Sequence, residues 1–450
     1  MTKIDSYLES HIDESIDELS RLVAQPSVGA QNWGMEECAA LVSEMLKKRG
    51  FSVEIILAEG APVVFAERKG RNKDKTLLFY NHYDVQPAEP LELWETPPFE
   101  PALRDGKLYG RGVSDDKGHF VSRLYALDAI LAEDSELPCN VKFIVEGEEE
   151  TGSIHLPKFI TAHKEMLAAD ACIWEFGGVD HREVPMQYLG LRGICYVELS
   201  VETAAIDVHS GTGGSIFPNA AWRLVWALNT LKGPDEKIRI PGWYDDIIPP
   251  TARDRELFDA QPDAAEEYKT QYGVKNFLKG LTGGTDLYMA EVFEPTCTIC
   301  GLTSGYQGPG SKTVLPAQAS AKVDFRLALG QKIDKCLDLL RKHLDAEGFS
   351  DVQIKFLGGG PAAQTDPDDP FIKLVADTAE EIFESKMELI PMVGGSGPNY
   401  PFVHELKLPV ACAGLGYPDT RAHAPNENIR IDLYLKHARH MARLLEEFSK

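Results

Sequence analysis

With 450 residues the chain is longer than one hydrophobic core ordinarily supports, so two domains are expected. Hydrophobic residues make up 43%, charged residues 26% and aromatics 9%, an ordinary globular composition, and no run comes near the roughly 20 apolar residues that cross a bilayer. The formal net charge of −24 argues against nucleic acid and anionic membrane as partners, since phosphates would be repelled.

The amino terminus, Met1-Thr2-Lys3-Ile4-Asp5-Ser6-Tyr7, shows no basic segment followed by an apolar one, hence no visible secretory signal. Eight scattered cysteines without a dense framework suit reduced thiols, and a cytoplasmic location is expected. Ile4, Tyr7, Leu8, Ile12, Ile16, Leu19 and Val23 make a stripe that predicts a helix over 4–25, ended by Pro26. A second helix is expected over 35–49, with Gly50 as its stop, and strands at 51–57, 62–67 and 76–80. Leu77 to Tyr80 run into Asn81-His82-Tyr83-Asp84, the pattern of a buried parallel strand whose carboxyl end opens into a site. Positions i and i+2 of a strand share a face, so Asp84 can hold one nitrogen of His82 while the other binds a metal. A core histidine beside a surface aspartate has the same local pattern.

Gly110-Arg111-Gly112-Val113-Ser114-Asp115-Asp116-Lys117-Gly118 leads into a helix through Leu124, Leu127 and Leu131. Its spacing fits neither the dinucleotide fingerprint nor the P-loop, and two acids are more than a first-turn dipole partner requires. A strand over 141–145 opens into Glu146-Gly147-Glu148-Glu149-Glu150-Thr151-Gly152-Ser153. Charge runs are usually solvated loops, but here like charge gathers at the mouth of a buried strand, where a cation relieves it. A strand over 171–174 ends in Glu175. Alternating strands and helices indicate an α/β domain, whose ligands collect beyond the carboxyl ends of strands. His82, Asp84, Asp115, Glu149, Glu150 and Glu175 all fall there.

The pattern changes near Tyr188-Leu189-Gly190-Leu191-Arg192-Gly193. A strand over 194–201, a helix over 216–231, a polar, Pro-interrupted stretch over 234–295, a β run over 313–327 and a helix over 331–346 make a smaller α+β domain inserted into the first. Domains are thus expected at 1–190 with 358–450, and at 191–357. Cys297-Thr298-Ile299-Cys300 favours a strand, on which i and i+3 face opposite sides, so its sulfurs do not share a metal. After Gly358-Gly359-Gly360 the α/β pattern returns with a helix over 369–384, a strand near 388–393, Gly394-Gly395-Ser396-Gly397, a strand over 408–413, Arg421-Ala422-His423-Ala424-Pro425-Asn426-Glu427 and a helix over 431–448.

His82-x-Asp84, Gly110-Arg111-Gly112 with Asp115-x-Lys117-Gly118, Glu149-Glu150-x-Gly152-Ser153, Asp207-x-His209-Ser210-Gly211, Gly394-Gly395-Ser396 and Ala422-His423 occur in order. Together, over nearly the whole chain, they resemble the co-catalytic metallopeptidase family of glutamate carboxypeptidase, carnosinase-type dipeptidases, acetylornithine deacetylase and succinyl-diaminopimelate desuccinylase. The resemblance implies a phosphorylase/hydrolase-like catalytic domain, its mixed sheet flanked by helices, and an inserted α+β lid through which the protein forms a homodimer. It implies two Zn²⁺ per chain, with Mn²⁺ or Co²⁺ as alternatives. One ion falls to His82, Asp115 and Glu175, the other to Asp115, Glu150 and His423. Many relatives have aspartate where Glu175 stands; the longer side chain still supplies oxygen. Asp84 stands behind His82, and a cis peptide is implied between Asp115 and Asp116.

The same resemblance makes Glu149 the general base, and assigns His209 to the tetrahedral oxyanion across the dimer. Arg326 receives the substrate carboxylate, Gly395 and Ser396 line its pocket, and Thr313 makes a weaker contact. The long lid, with its insertion near 234–295 and the run Gly310-Ser311-Lys312-Thr313-Val314-Leu315-Pro316, is closest to the dipeptidase branch. The expected activity is that of a dipeptidase or short-peptide carboxypeptidase acting next to a free carboxylate. The alternative is an N-acyl-amino-acid amidohydrolase; a catalytically silent dimeric binding protein is a third possibility, against which the intact Glu149 argues.

Overall fold

The computed structural model describes residues 2–57 and 59–450, which fall into two compact units. The first comprises Met1–Gly190, Gln364–Pro391 and Pro398–Lys450; the second comprises Leu191–Ala363 and Met392–Gly397.

The first unit is built on strands β1 (Ser52–Ile56), β2 (Val63–Arg68), β3 (Asn72–His82), β4 (Cys139–Glu146) and β5 (Ala171–Trp174), with Val410–Cys412 at the far edge. They lie in the order β1-β2-β4-β3-β5, followed by Val410–Cys412. β3 runs parallel to both β4 and β5, and Val410–Cys412 runs parallel to β5, while β1 and β2 are antiparallel, so the sheet is mixed. Every residue of β4 and the last six of β3 are buried, as strands covered on both faces must be. The covering helices include α1 (Lys3–Ser10), α2 (Ile12–Ala24), α3 (Met35–Lys48) and α4 (Lys117–Asp134), and α4 packs against the last helix, Ile431–Phe448. Because β3, β4 and β5 run the same way, His82, the acidic loop after Glu146, and Glu175 all emerge at one edge. Gly147 begins that loop so close to Tyr83 that an added Cβ would meet its ring and hydroxyl at 2.4 Å.

The stripe over 4–25 forms two helices rather than one, broken at His11, whose ring stacks on Tyr7 at 4.0 Å. Leu8, Ile12 and Ile16 keep their four-residue spacing through the break, so the apolar pattern carries no sign of it. On the last helix, His437 and His440 are buried. Burial holds His437 well below the ordinary imidazole value and pushes His440 down to about 4 from 6.5. Between pH 6.5 and 4 the unfolded chain therefore takes up a proton that folded His440 refuses, and stability, complete above that window, declines as the pH falls through it. His440→Gln should remove about 2 kcal/mol of the loss in unfolding free energy between pH 7 and pH 5, read from urea midpoints at the two pH values.

The second unit holds strands β6 (Gly193–Glu202), β7 (Thr298–Ser304), β8 (Gln318–Leu327) and β9 (Gln353–Gly360) in the order β7-β8-β6-β9, antiparallel throughout. Cys195, Val197, Leu199 and Val201 of β6 alternate inward and share a core with helices Ala220–Leu231 and Ile333–Ala346. The stretch 234–295 carries three short α-helices, Ala252–Asp259, Ala265–Tyr272 and Gly284–Phe293, and a 3-10 turn at Leu278–Gly280. The first starts at a Thr251/Asp254 capping box, but its single turns of apolar residues are too short to register as a stripe. The β run over 313–327 divides into Val314–Leu315 and β8 around Pro316, which has no N–H to give a ladder. Cys297 is buried just before β7 and Cys300 is exposed on it; both are free thiols.

Candidate metal centre

β3 delivers a fully buried His82 to the carboxyl edge of the sheet. Its Nδ1 lies 3.0 Å from the Asp84 main-chain oxygen and 3.3 Å from the Asp84 carboxylate. Asp84 follows the strand rather than continuing it, so the main-chain carbonyl shares the work expected of its side chain. A proton on Nδ1 leaves the Nε2 lone pair for a ligand. The Asp84 carboxylate also accepts the main-chain N–H groups of Glu149 at 3.2 Å and Glu150 at 3.0 Å, pinning the acidic loop to the end of β3.

Asp115 sits between two imidazoles. Its Oδ1 lies 2.9 Å from His82 Nε2 and its Oδ2 lies 3.0 Å from His423 Nε2. His423 Nε2 is also 3.0 Å from Glu150 Oε2, onto which Gln86 Nε2 donates at 2.9 Å. Asp115, Glu150 and His423 offer one ligand atom each, all within 4.8 Å of one another, and can hold a metal ion. His423 reaches them from a left-handed backbone (φ 61°), between Arg421 (φ 55°) and Asn426 (φ 63°), a conformation that residues other than glycine seldom adopt. The peptide between Asp115 and Asp116 is cis, as the family resemblance implied.

Glu175, at the end of β5, is buried and lines the same cavity of about 520 Å³ as Asp115, Glu149 and His423, with Phe176 and Tyr188 on its wall. Its Oε2 has no hydrogen-bond partner, and a buried carboxylate oxygen left so is a place for a cation. Burial pushes the Glu175 carboxyl well above its ordinary value, with the neighbouring Glu149 adding to it. Glu149 is pushed up to about 8 by burial, against the pull of His82 and with the help of Asp115, Glu150 and Asp84. Burial also acts upward on Asp115, but its contacts with His423 and His82 win and hold it well below the carboxylate range. The contacts of His423 with Asp115 and with Glu150 raise it to about 10.

Several residues beneath these ligands went unread in the sequence. Glu427 is fully buried, paired with Arg111 Nη1 at 2.7 Å, and it accepts the N–H groups of Gly112, Ser114 and Asp115 at 2.9–3.0 Å. Buried Lys117 donates to the main-chain oxygens of Leu22 and Gln25. Lys117 lies inside a motif that carried the resemblance and Glu427 four residues beyond another, but nothing local reveals their distant partners.

The remaining expected site residues lie in the second unit. Arg326 Nη1 donates to Ser396 Oγ at 2.8 Å and its Nε to Asp324 at 3.2 Å, while the Gly395 carbonyl accepts the N–H of Arg192. His209 and Thr313 are exposed neighbours: Val208–His209 pairs with Val314–Leu315, and the Thr313 carbonyl accepts the N–H of Ser210 at 3.1 Å.

A mixed α/β fold whose strand ends gather imidazoles and carboxylates around a buried glutamate is that of a metal-dependent hydrolase. Residues 78–447 match the description of peptidase family M20/M25/M40, and the chain belongs to that family. A Beta-Ala-His dipeptidase of Mus musculus is 28% identical to it over 478 residues, covering 100% of this chain and 96% of the relative. A Cys-Gly metallodipeptidase dug1 of Schizosaccharomyces pombe is 27% identical over 459 residues, covering 97% and 96%. Among solved structures, an M20 family metallo-carboxypeptidase from Sulfolobus solfataricus has a TM-score of 0.91 at 35% identity, covering 97% of this chain and 99% of that one. Among the described residues, no helix is long and apolar enough to cross a membrane.

Proposed function

We propose that this chain is a dipeptidase that uses a co-catalytic pair of divalent cations to cleave a peptide bond next to a free carboxylate. The observation that carries the proposal is Asp115, with one oxygen turned to His82 and the other to His423. His82, Asp115 and Glu175 would hold one ion; Asp115, Glu150 and His423 would hold the other. Imidazole and carboxylate donors suit Zn²⁺ best, then Mn²⁺ or Co²⁺. When bound, such a pair supplies Lewis acidity that polarises the scissile carbonyl and acidifies water.

Glu149 adjoins Glu150 but stands outside the Asp115–Glu150–His423 group, its main chain fixed by Asp84. It takes the proton of the attacking water and returns it to the leaving amine. Arg326, backed by Ser396 and Gly395, receives the substrate carboxylate, with Thr313 as a weaker contact. The first unit is the catalytic domain and the second the lid, through which two copies pair so that His209 serves the oxyanion in the partner subunit. Support for pairing comes from the exposed Trp222, Val225 and Trp226 on one helix and the exposed Ile299 and Leu302 on edge strand β7. Free thiols at all eight cysteines support a cytoplasmic setting.

The relatives named as dipeptidases favour dipeptides; the likeness to a metallo-carboxypeptidase favours short peptides as a second reading. Metal analysis of the purified protein, together with mass-spectrometric turnover of dipeptides, tripeptides and N-acetyl and N-succinyl amino acids, separates these activities. Two ions per chain and fastest turnover of dipeptides are expected. Preference for N-acyl amino acids would replace the dipeptidase assignment, and peptide binding without turnover would leave a binding protein.

A further inference from the structure

The ladder between β3 and β5 ends at Phe79 opposite Ile173. His82 and Glu175 both lie beyond that point, where the sheet no longer sets the distance between the two chains. Another group does so. Arg123, in the middle of α4, is fully buried. Its Nη1 donates at 2.8 Å to both the Tyr80 carbonyl and Asn81 Oδ1 on the β3 side. Its Nη2 donates to the Trp174 carbonyl on the β5 side and lies 3.4 Å from that of Glu175. Asn81 passes the constraint on: its Nδ2 donates at 2.6 Å to Asp116 Oδ2, which also accepts the His82 N–H at 3.2 Å.

We propose that Arg123 is a positioning residue whose guanidinium bolts the carboxyl ends of β3 and β5 together and so fixes His82 and Glu175 as a pair. It rests on the assignment of these two ligands, with Asp115, to one ion of two. A positive charge behind a cation site repels the cation, so attraction of the metal is not what the side chain supplies. All of its acceptors are neutral carbonyl oxygens, and desolvating a cation for them is costly unless geometry is the return. The planar guanidinium presents donors in a fixed fork and can serve two strands at once; a lysine ammonium in the same place keeps the charge but has no such fork.

Arg123→Lys therefore separates geometry from charge. Metal-free wild-type protein and variant, both full length, are titrated with Co²⁺ against a competing chelator, following the visible absorption of the bound ion and the metal content by mass spectrometry. The variant should bind one Co²⁺ as wild type does and the other about 10–100-fold more weakly, with the absorption of that ion changed. Wild-type affinity for both ions, or equal weakening of both, overturns the inference while leaving the two-ion assignment in place. A wild-type protein that binds fewer than two ions removes that assignment, and the inference with it. If Arg123→Lys does not fold, Asn81→Ser makes the comparison by removing the carbonyl that Arg123 holds together with the amide that reaches Asp116, and unchanged affinities there overturn it equally.

Discussion

Glu149→Gln should keep both metal ions and lose turnover on the order of 10³-fold, with KM little changed. The substitution preserves the shape of the side chain and the main-chain N–H that Asp84 holds at 3.2 Å, but removes the oxygen able to carry a proton. Metal content should survive because Asp115, Glu150 and His423 gather without Glu149. Steady-state kinetics on a dipeptide and metal analysis of the same preparation read both halves. Full activity would sink the general-base role; parallel loss of metal and rate would make Glu149 a ligand instead.

Arg326→Met should lower kcat/KM for dipeptides about 10²–10³-fold, chiefly through KM, because a charge-assisted pair with the substrate carboxylate contributes on the order of 3–4 kcal/mol. Methionine keeps most of the aliphatic stem and leaves the pairing of Arg326 with Ile194 of β6 to the main chain, so the loss reports the guanidinium rather than the strand. The control is a dipeptide whose carboxyl end is amidated. Wild type should process it about as poorly as the variant does, and the substitution should then cost almost nothing. If Arg326→Met slows the amide and the free acid by the same factor, the arginine is not the carboxylate receptor.

The sequence made the edge of the first sheet legible because its signals are local. A run of apolar residues ending in His82-x-Asp84, and a strand ending in Glu175, each announce a strand and its exit within a few positions. The residues that hold His82, Asp115 and Glu175 in place were not legible. Glu427 meets Asp115 across 312 positions, and Arg123 meets Tyr80 and Trp174 from the middle of a helix that reads as apolar packing. Long-range pairs of this kind leave no periodicity. The short helices within 234–295 were hidden for another reason. Helices of eight to ten residues, such as Ala252–Asp259 and Gly284–Phe293, offer too few turns for a stripe to stand out from a polar background. The break at His11 hid because spacing alone does not register a change of axis.

Asp115 is met by His423 and by Glu427, which lie 308 and 312 positions after it. His82, Asp115, Glu150 and Glu175, and the entire second unit, all precede His423 in the chain. The group of Asp115, Glu150 and His423 is therefore complete only when segments on either side of the second unit in the sequence have come together. A ligand group drawn from such distant segments forms with the fold and not ahead of it, so a metal held by all three would stabilise the folded chain over the unfolded one.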